Sequence, residues 1–237
     1  MKALRVFAPI INILPEGIVR FVGKKASDFI LRKYAKLEVT GEEILAERVG
    51  KPTIFISNHL SNVDGIVLNK VLQKNNVTFM AGRKLKGNPL TSLFLRIVKH
   101  ISINPNSADR SAIKKALAVL NQGESILIFP EGTRSRSGSM IQAKKGFLLL
   151  ARLSKADLVP IALEGTERML PVNQDDMGKE TPRHANVSVK IGQPFQIENE
   201  IHGRISRDEE CVTSAMKRIA QMLKPEYQGV YADNPIE

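Results

Sequence analysis

Apolar residues along this chain follow two rhythms. In the first 36 residues Ile18, Val19, Val22, Ala26, Phe29 and Ile30 recur at helical spacing, with Arg20, Lys24, Lys25, Arg32 and Lys33 supplying positive charge. That pattern predicts a basic amphipathic helix. Such a helix either packs on its own domain or lies in a membrane interface, where apolar insertion and attraction to anionic headgroups act together. From about Lys51 onward short apolar runs alternate with helical patterns, as in a buried sheet covered by helices. Strands are expected at 53–57, 77–81, 100–103, 125–129, 158–163 and 187–191. Helices are expected at 65–73, 89–97, 110–121, 144–153 and 207–223. The predicted fold class is α/β, with a mixed, mostly parallel central sheet flanked by helices and an N-terminal amphipathic helical segment. Residues 1–36 form that membrane-associating segment, and 37–237 form the α/β domain. The polar stretch 173–184 reads as a surface insertion or mobile loop.

Composition narrows the partners. Thirty-five Lys and Arg against 24 Asp and Glu give a formal charge of +11, which favours an anionic partner. Nucleic acid fits poorly: there is no Trp, there are three Tyr, and no reader motif occurs. The single Cys211 excludes an intrachain disulfide, and no Cys/His cluster has zinc-ligand spacing. No run of 18 apolar residues exists; residues 4–14 are interrupted by Pro9 and Asn12 and carry Arg5. That segment also lacks a small-residue cleavage site, so it is read as retained.

Chemistry concentrates in two places. Ser57-Asn58-His59-Leu60-Ser61-Asn62-Val63-Asp64 follows the first core strand and puts an imidazole and a carboxylate at its carboxyl end, where α/β sheets favour ligand sites. A carboxylate accepting the Nδ1 proton fixes the tautomer and leaves Nε2 as a general base. Residues five apart on an ideal helix are about 140° apart and do not touch. The pairing therefore requires His59 in the turn and Asp64 in the first turn of the following helix. The spacing alone also fits a solvated His followed by a capping Asp.

The second place is Phe129-Pro130-Glu131-Gly132-Thr133-Arg134-Ser135-Arg136, after a strongly apolar strand. Arg134 offers a planar fork of donors suited to phosphate, and Gly132 permits close backbone approach. A charged turn after a strand is also common as a merely solvated loop. Gly82 to Gly87 has phosphate-loop glycine spacing, but Asn88 and Pro89 stand where Lys and Ser or Thr belong. No Gly-x-Ser-x-Gly elbow, His-Glu-x-x-His helix or paired metal carboxylates occur. A base without a protein nucleophile points to direct transfer.

These blocks resemble the glycerolipid acyltransferase family of lysophosphatidic acid acyltransferase type, whose hallmarks are Asn-His-x-x-x-x-Asp and Phe-Pro-Glu-Gly-Thr-Arg-Ser. Both are intact and in order here, and the similarity spans roughly 51–170, through Leu158-Val159-Pro160-Ile161-Ala162-Leu163-Glu164-Gly165-Thr166. The resemblance implies His59 as catalytic base, Asp64 as its partner, and Glu131, Gly132 and Arg134 as part of the acceptor phosphate site; Asn58, Arg83 and Thr133 are expected to join them in binding substrate. It implies acyl transfer from a coenzyme A or acyl carrier protein thioester to the free hydroxyl of lysophosphatidic acid. No metal and no cofactor beyond that co-substrate are expected. The implied partner surface is a phospholipid membrane, with the protein peripheral or monotopic on its cytoplasmic face. Alternatives are acylation of glycerol 3-phosphate or another alcohol, and a catalytically silent membrane-binding protein of this fold. Gly82 and Asn104 stand where relatives carry Lys and Arg; Arg83 and Arg110 are the nearby substitutes.

Overall fold

Helix α1, Glu16–Tyr34, opens behind Pro15, whose carbonyl accepts the N–H groups of Ile18 and Val19. Glu16 in its first turn and Arg32 and Lys33 in its last complement the helix dipole. The helix buries Val19, Gly23 and Leu31. A Cβ at position 23 would press on the Ile97 side chain at the end of helix α4, Pro89–Ile97, so the glycine lets the two helices approach without displacing it. The opposite face leaves Ile18, Phe21, Val22 and Phe29 exposed. The computed structural model describes residues 15–82, 89–104, 109–171, 180–197, 200–201, 204–205 and 207–233.

The helix passes without a loop into strand β1, Ala35–Thr40, and helix α2 follows at Glu42–Glu47. Strand β2 (Thr53–Ser57), helix α3 (Asp64–Val71), strand β3 (Val77–Gly82), α4 and strand β4 (His100–Ile103) come next. Helix α5 (Arg110–Asn121), strand β5 (Ser125–Ile128), helix α6 (Gly146–Ser154) and strand β6 (Asp157–Glu164) continue the alternation. A short helix α7 (Thr166–Met169) precedes strand β7 (Ala185–Ile191). A small pair, β8 (Glu200–Ile201) and β9 (Arg204–Ile205), precedes helix α8 (Asp208–Ala220).

Seven strands form one sheet in the order β1-β7-β6-β2-β5-β3-β4. All neighbours are parallel except β6 with β7, so the sheet is mixed and mostly parallel, as the sequence predicts. Burial on both faces explains the continuous apolar runs. Ile54 and Ile56 of β2 face the α5, α6 and α8 side with Ala116, Leu148 and Ile219, while Phe55 faces the α1–α4 side with Leu31, Val67 and Leu68.

Strand β1 was not expected. It is an edge strand with alternating half-exposed positions, and Lys36, Glu38 and Thr40 leave it too polar to stand out. Because β2 and β5 are adjacent and parallel, their carboxyl ends lie at one edge of the sheet. The turns after Ser57 and after Ile128 therefore meet, although some 70 residues separate them.

Candidate active site

The turn after β2 is fixed from beneath. Asn58 is fully buried, and both ends of its amide are taken by the main chain of Leu163 in β6: Nδ2 donates to the carbonyl at 2.9 Å and Oδ1 accepts the N–H at 2.8 Å. Asn58 thus acts as a strut that sets the start of the turn. Helix α3 begins at Asp64, so His59 lies in the turn before it. His59 Nδ1 and Asp64 Oδ2 are 2.7 Å apart, which satisfies the geometric condition that the spacing imposes.

Asp64 is fully buried, and its Oδ2 also accepts the N–H groups of Leu60 at 2.7 Å and Ser61 at 2.9 Å. One oxygen therefore organises the entire turn and the imidazole together. Asp64 Oδ1 is buried with no hydrogen-bond partner among the described residues. The His59 side chain keeps 21% exposure and stacks on Phe129 with centroids 4.1 Å apart. With Nδ1–H donated to the carboxylate, Nε2 is the ring's proton acceptor.

The turn after β5 clasps this one through the main chain. Glu131, 2% exposed, accepts the His59 N–H at 2.9 Å and the Ile141 N–H at 3.0 Å, and Ser135 N–H donates to the His59 carbonyl at 2.8 Å. Both backbone groups of His59 are held by the second motif block. Gly132 has φ +72°, the left-handed region that glycine accepts without strain, and its N–H donates to the Phe129 carbonyl at 3.0 Å. Thr133 is exposed. Arg134 is largely buried. Burial pushes its guanidinium below the usual range, while the nearby Glu180 and Asp64 carboxylates favour its charge.

The structure brings His59, Asp64, Asn58, Glu131 and Arg134 into one cluster, with Gly132 and Thr133 in the adjoining turn. Arg83, together with Lys84 and Lys86, lies outside the described residues. Arg110 is exposed at the start of α5.

The sequence reading did not single out several residues around the cluster. Ser61 Oγ donates to the Leu170 carbonyl at 2.7 Å, and Asn62 Nδ2 donates to Glu180 Oε1 at 3.0 Å. Both bonds reach the connection between β6 and β7. At Glu180 that connection is not the surface loop expected of 173–184, since the residue is 3% exposed. Residues 173–179 lie outside the described residues. No periodicity marks Glu180, and only the tertiary fold brings it to the site.

Fold and site together define an α/β protein that sets a His–Asp pair at the carboxyl edge of a mostly parallel sheet, with a basic turn from the next strand beside it. The chain belongs to the Acyltransferase family, whose model matches residues 36–164, just over half of the sequence. It is 32% identical over 149 residues to the 1-acyl-sn-glycerol-3-phosphate acyltransferase of Cocos nucifera, covering 62% of this chain and 46% of that one. It is 26% identical over 214 residues to the chloroplastic 1-acyl-sn-glycerol-3-phosphate acyltransferase LPAT1 of Arabidopsis thaliana, covering 86% and 53%. The chain spans about half the length of these curated relatives. The crystal structure of the 1-acyl-sn-glycerophosphate (LPA) acyltransferase PlsC from Thermotoga maritima shares the fold. Its TM-score is 0.63 at 21% identity, over 87% of this chain and 77% of that one.

Proposed function

We propose that the protein transfers a fatty acyl group from a thioester to the free hydroxyl of lysophosphatidic acid, forming phosphatidic acid. The observation that carries this reading is the 2.7 Å contact between His59 Nδ1 and a buried Asp64, with the imidazole itself partly exposed. The names of the relatives supply the acceptor class.

In this mechanism Asp64 holds Nδ1–H, and Nε2 takes the acceptor's hydroxyl proton as that oxygen attacks the thioester carbonyl. A C–O bond forms and the carbonyl π pair moves onto oxygen. Collapse of the tetrahedral intermediate restores the carbonyl and breaks the C–S bond, and the imidazolium returns its proton to the departing thiolate. A thiol pKa of about 8.5 makes that sulfur a tolerable leaving group, so one base suffices. Stacking on Phe129 and the main-chain clasp through Glu131 and Ser135 hold the ring's position without using its reactive nitrogen. Arg134 supplies positive charge for the acceptor phosphate. The donor is a coenzyme A or acyl carrier protein thioester.

The same reading sets the protein peripherally on the cytoplasmic face of a phospholipid membrane, through the exposed Ile18, Phe21, Val22 and Phe29 and the neighbouring cations of α1. No helix among the described residues is long and apolar enough to cross a bilayer.

Mass-spectrometric detection of phosphatidic acid from lysophosphatidic acid tests the activity, with acyl coenzyme A and acyl carrier protein donors offered separately. Product from the wild type and none from His59→Ala is the expected result. Product only with glycerol 3-phosphate or a neutral alcohol would reassign the acceptor, and equal product from His59→Ala would remove the base.

A further inference from the structure

Glu180 belongs to neither motif block, yet it reaches a side chain from each. Its Oε1 accepts the Nδ2–H of Asn62, in the His59 turn, at 3.0 Å and lies 3.9 Å from Nη1 of Arg134, in the turn after β5. The Glu180 and Arg134 side chains are 1% and 14% exposed, so the pair is shielded from bulk water. Withdrawing a carboxylate from water is costly unless it is paired and hydrogen-bonded. Here one charge partner is the arginine beside the His–Asp pair, and Asp64 also acts on that guanidinium.

At 3.9 Å the contact is an ion pair and not a hydrogen bond. It restrains where the guanidinium sits without holding it through a hydrogen bond at that contact. Asn62 fixes the carboxylate in turn, and Asn62 lies two residues before Asp64. The chain of contacts therefore runs from the dyad's own turn, through Glu180, to Arg134.

We propose that Glu180 is a positioning residue for the acceptor phosphate, holding Arg134 at one place beside His59 and registering it to the His59 turn through Asn62. The proposal rests on the phosphate-bearing acceptor proposed above. A purely structural Glu180 would act through its hydrogen bond to Asn62, which a glutamine can also accept. A positioning Glu180 acts through its charge on Arg134, which glutamine lacks.

Glu180→Gln is therefore the deciding variant, and Glu180→Ala accompanies it. Steady-state kinetics with lysophosphatidic acid should show the acceptor KM of Glu180→Gln raised about tenfold, with the donor KM unchanged. In an Arg134→Ala background the same substitution should have no further effect, since coupled residues are non-additive. An unchanged acceptor KM in Glu180→Gln, or effects that simply multiply with Arg134→Ala, overturns the proposal. If the wild type does not acylate lysophosphatidic acid, the acceptor assignment fails. The variants are then compared by equilibrium binding of sn-glycerol 3-phosphate, followed by phosphorus NMR, which needs no turnover. Binding weakened by Glu180→Gln sustains the positioning role, and wild-type-like or absent binding overturns it.

Discussion

Glu131 holds His59 by the backbone: its Oε1 accepts the His59 N–H at 2.9 Å while its Oε2 accepts the Ile141 N–H at 3.0 Å. Both of these bonds are to main-chain N–H groups and neither is to the imidazole ring. The carboxylate braces the peptide that carries the ring, and Ser135 N–H braces the other end of the same residue. Burial pushes the Glu131 carboxyl up from 4.5 to about 7, with the Asp64 charge adding to the rise and the two N–H donors opposing it.

That shift gives stability a definite pH dependence. Between pH 4.5 and about 7 the folded protein holds a proton on Glu131 that the unfolded chain has released, so this group's contribution falls as pH rises across the window. The total is about 3 kcal/mol at most, from about 1.4 kcal/mol per pKa unit. Urea unfolding at pH 5, 6, 7 and 8 checks it. The wild type should lose stability relative to Glu131→Gln across that range, and parallel profiles would show that Glu131 does not titrate there.

The dyad makes separate predictions for its two members. His59→Ala removes the proposed base but no strut, so turnover should drop by about 10²- to 10⁴-fold while the melting temperature stays put. Asp64→Asn removes the charge beneath three donors, those of His59, Leu60 and Ser61. It should lose comparable activity and also about 1–3 kcal/mol of stability. Initial rates together with denaturant unfolding separate the two. Stability loss in both variants would mean that the imidazole itself is a structural element of the turn.

The His–Asp pair was legible because its geometry is local: a strand end, a short turn and a helix start place residues five apart face to face. The β2–β5 adjacency that joins the two motif blocks follows from topology, which periodicity alone does not encode. Asn58 looked like a substrate contact from its place in the motif, yet its amide is matched to the main chain of Leu163, 105 residues away. Glu180 was illegible for the same reason: Asn62 and Arg134 come to it from different turns. Edge strand β1 escaped notice because its exposed positions break the apolar run that marks a buried strand. On α1 the apolar periodicity was plain, but nothing in it could say that Val19 packs inward while Ile18 and Val22 stay exposed.

Gly165, at the end of β6, makes a sharp stability prediction for the connection that carries Glu180. Its φ is +85°, and a Cβ would lie 2.0 Å from the Asn186 carbonyl oxygen, a backbone atom that cannot yield without moving β7. Gly138 has nearly the same φ, +80°, but nothing within 4 Å. Gly138→Ala should therefore cost about 1–2 kcal/mol for the left-handed backbone alone. Gly165→Ala should cost more and should also reduce activity by displacing the strand pair. Calorimetric melting of the two variants makes the comparison, and equal losses would show that backbone conformation, rather than the close approach of β7, requires the glycine.

Helix α1 separates the function of its two faces. Val19, Gly23 and Leu31 secure it to the domain, whereas Phe21 and Phe29 are 65% and 60% exposed with Lys24, Lys25 and Lys33 nearby. Replacing both phenylalanines by Asp leaves the packed face untouched, so the fold should keep its melting temperature. Burying one phenylalanine is worth about 1.5–3 kcal/mol when burial is complete. Partial insertion of two rings should then account for a 10- to 100-fold change in vesicle affinity, read by sedimentation with liposomes containing anionic lipid. Raising the salt should weaken wild-type binding further, because the cations act through screened attraction to the headgroups. If the double variant binds vesicles as the wild type does, the lipid-facing surface lies elsewhere, and the exposed phenylalanines need another partner.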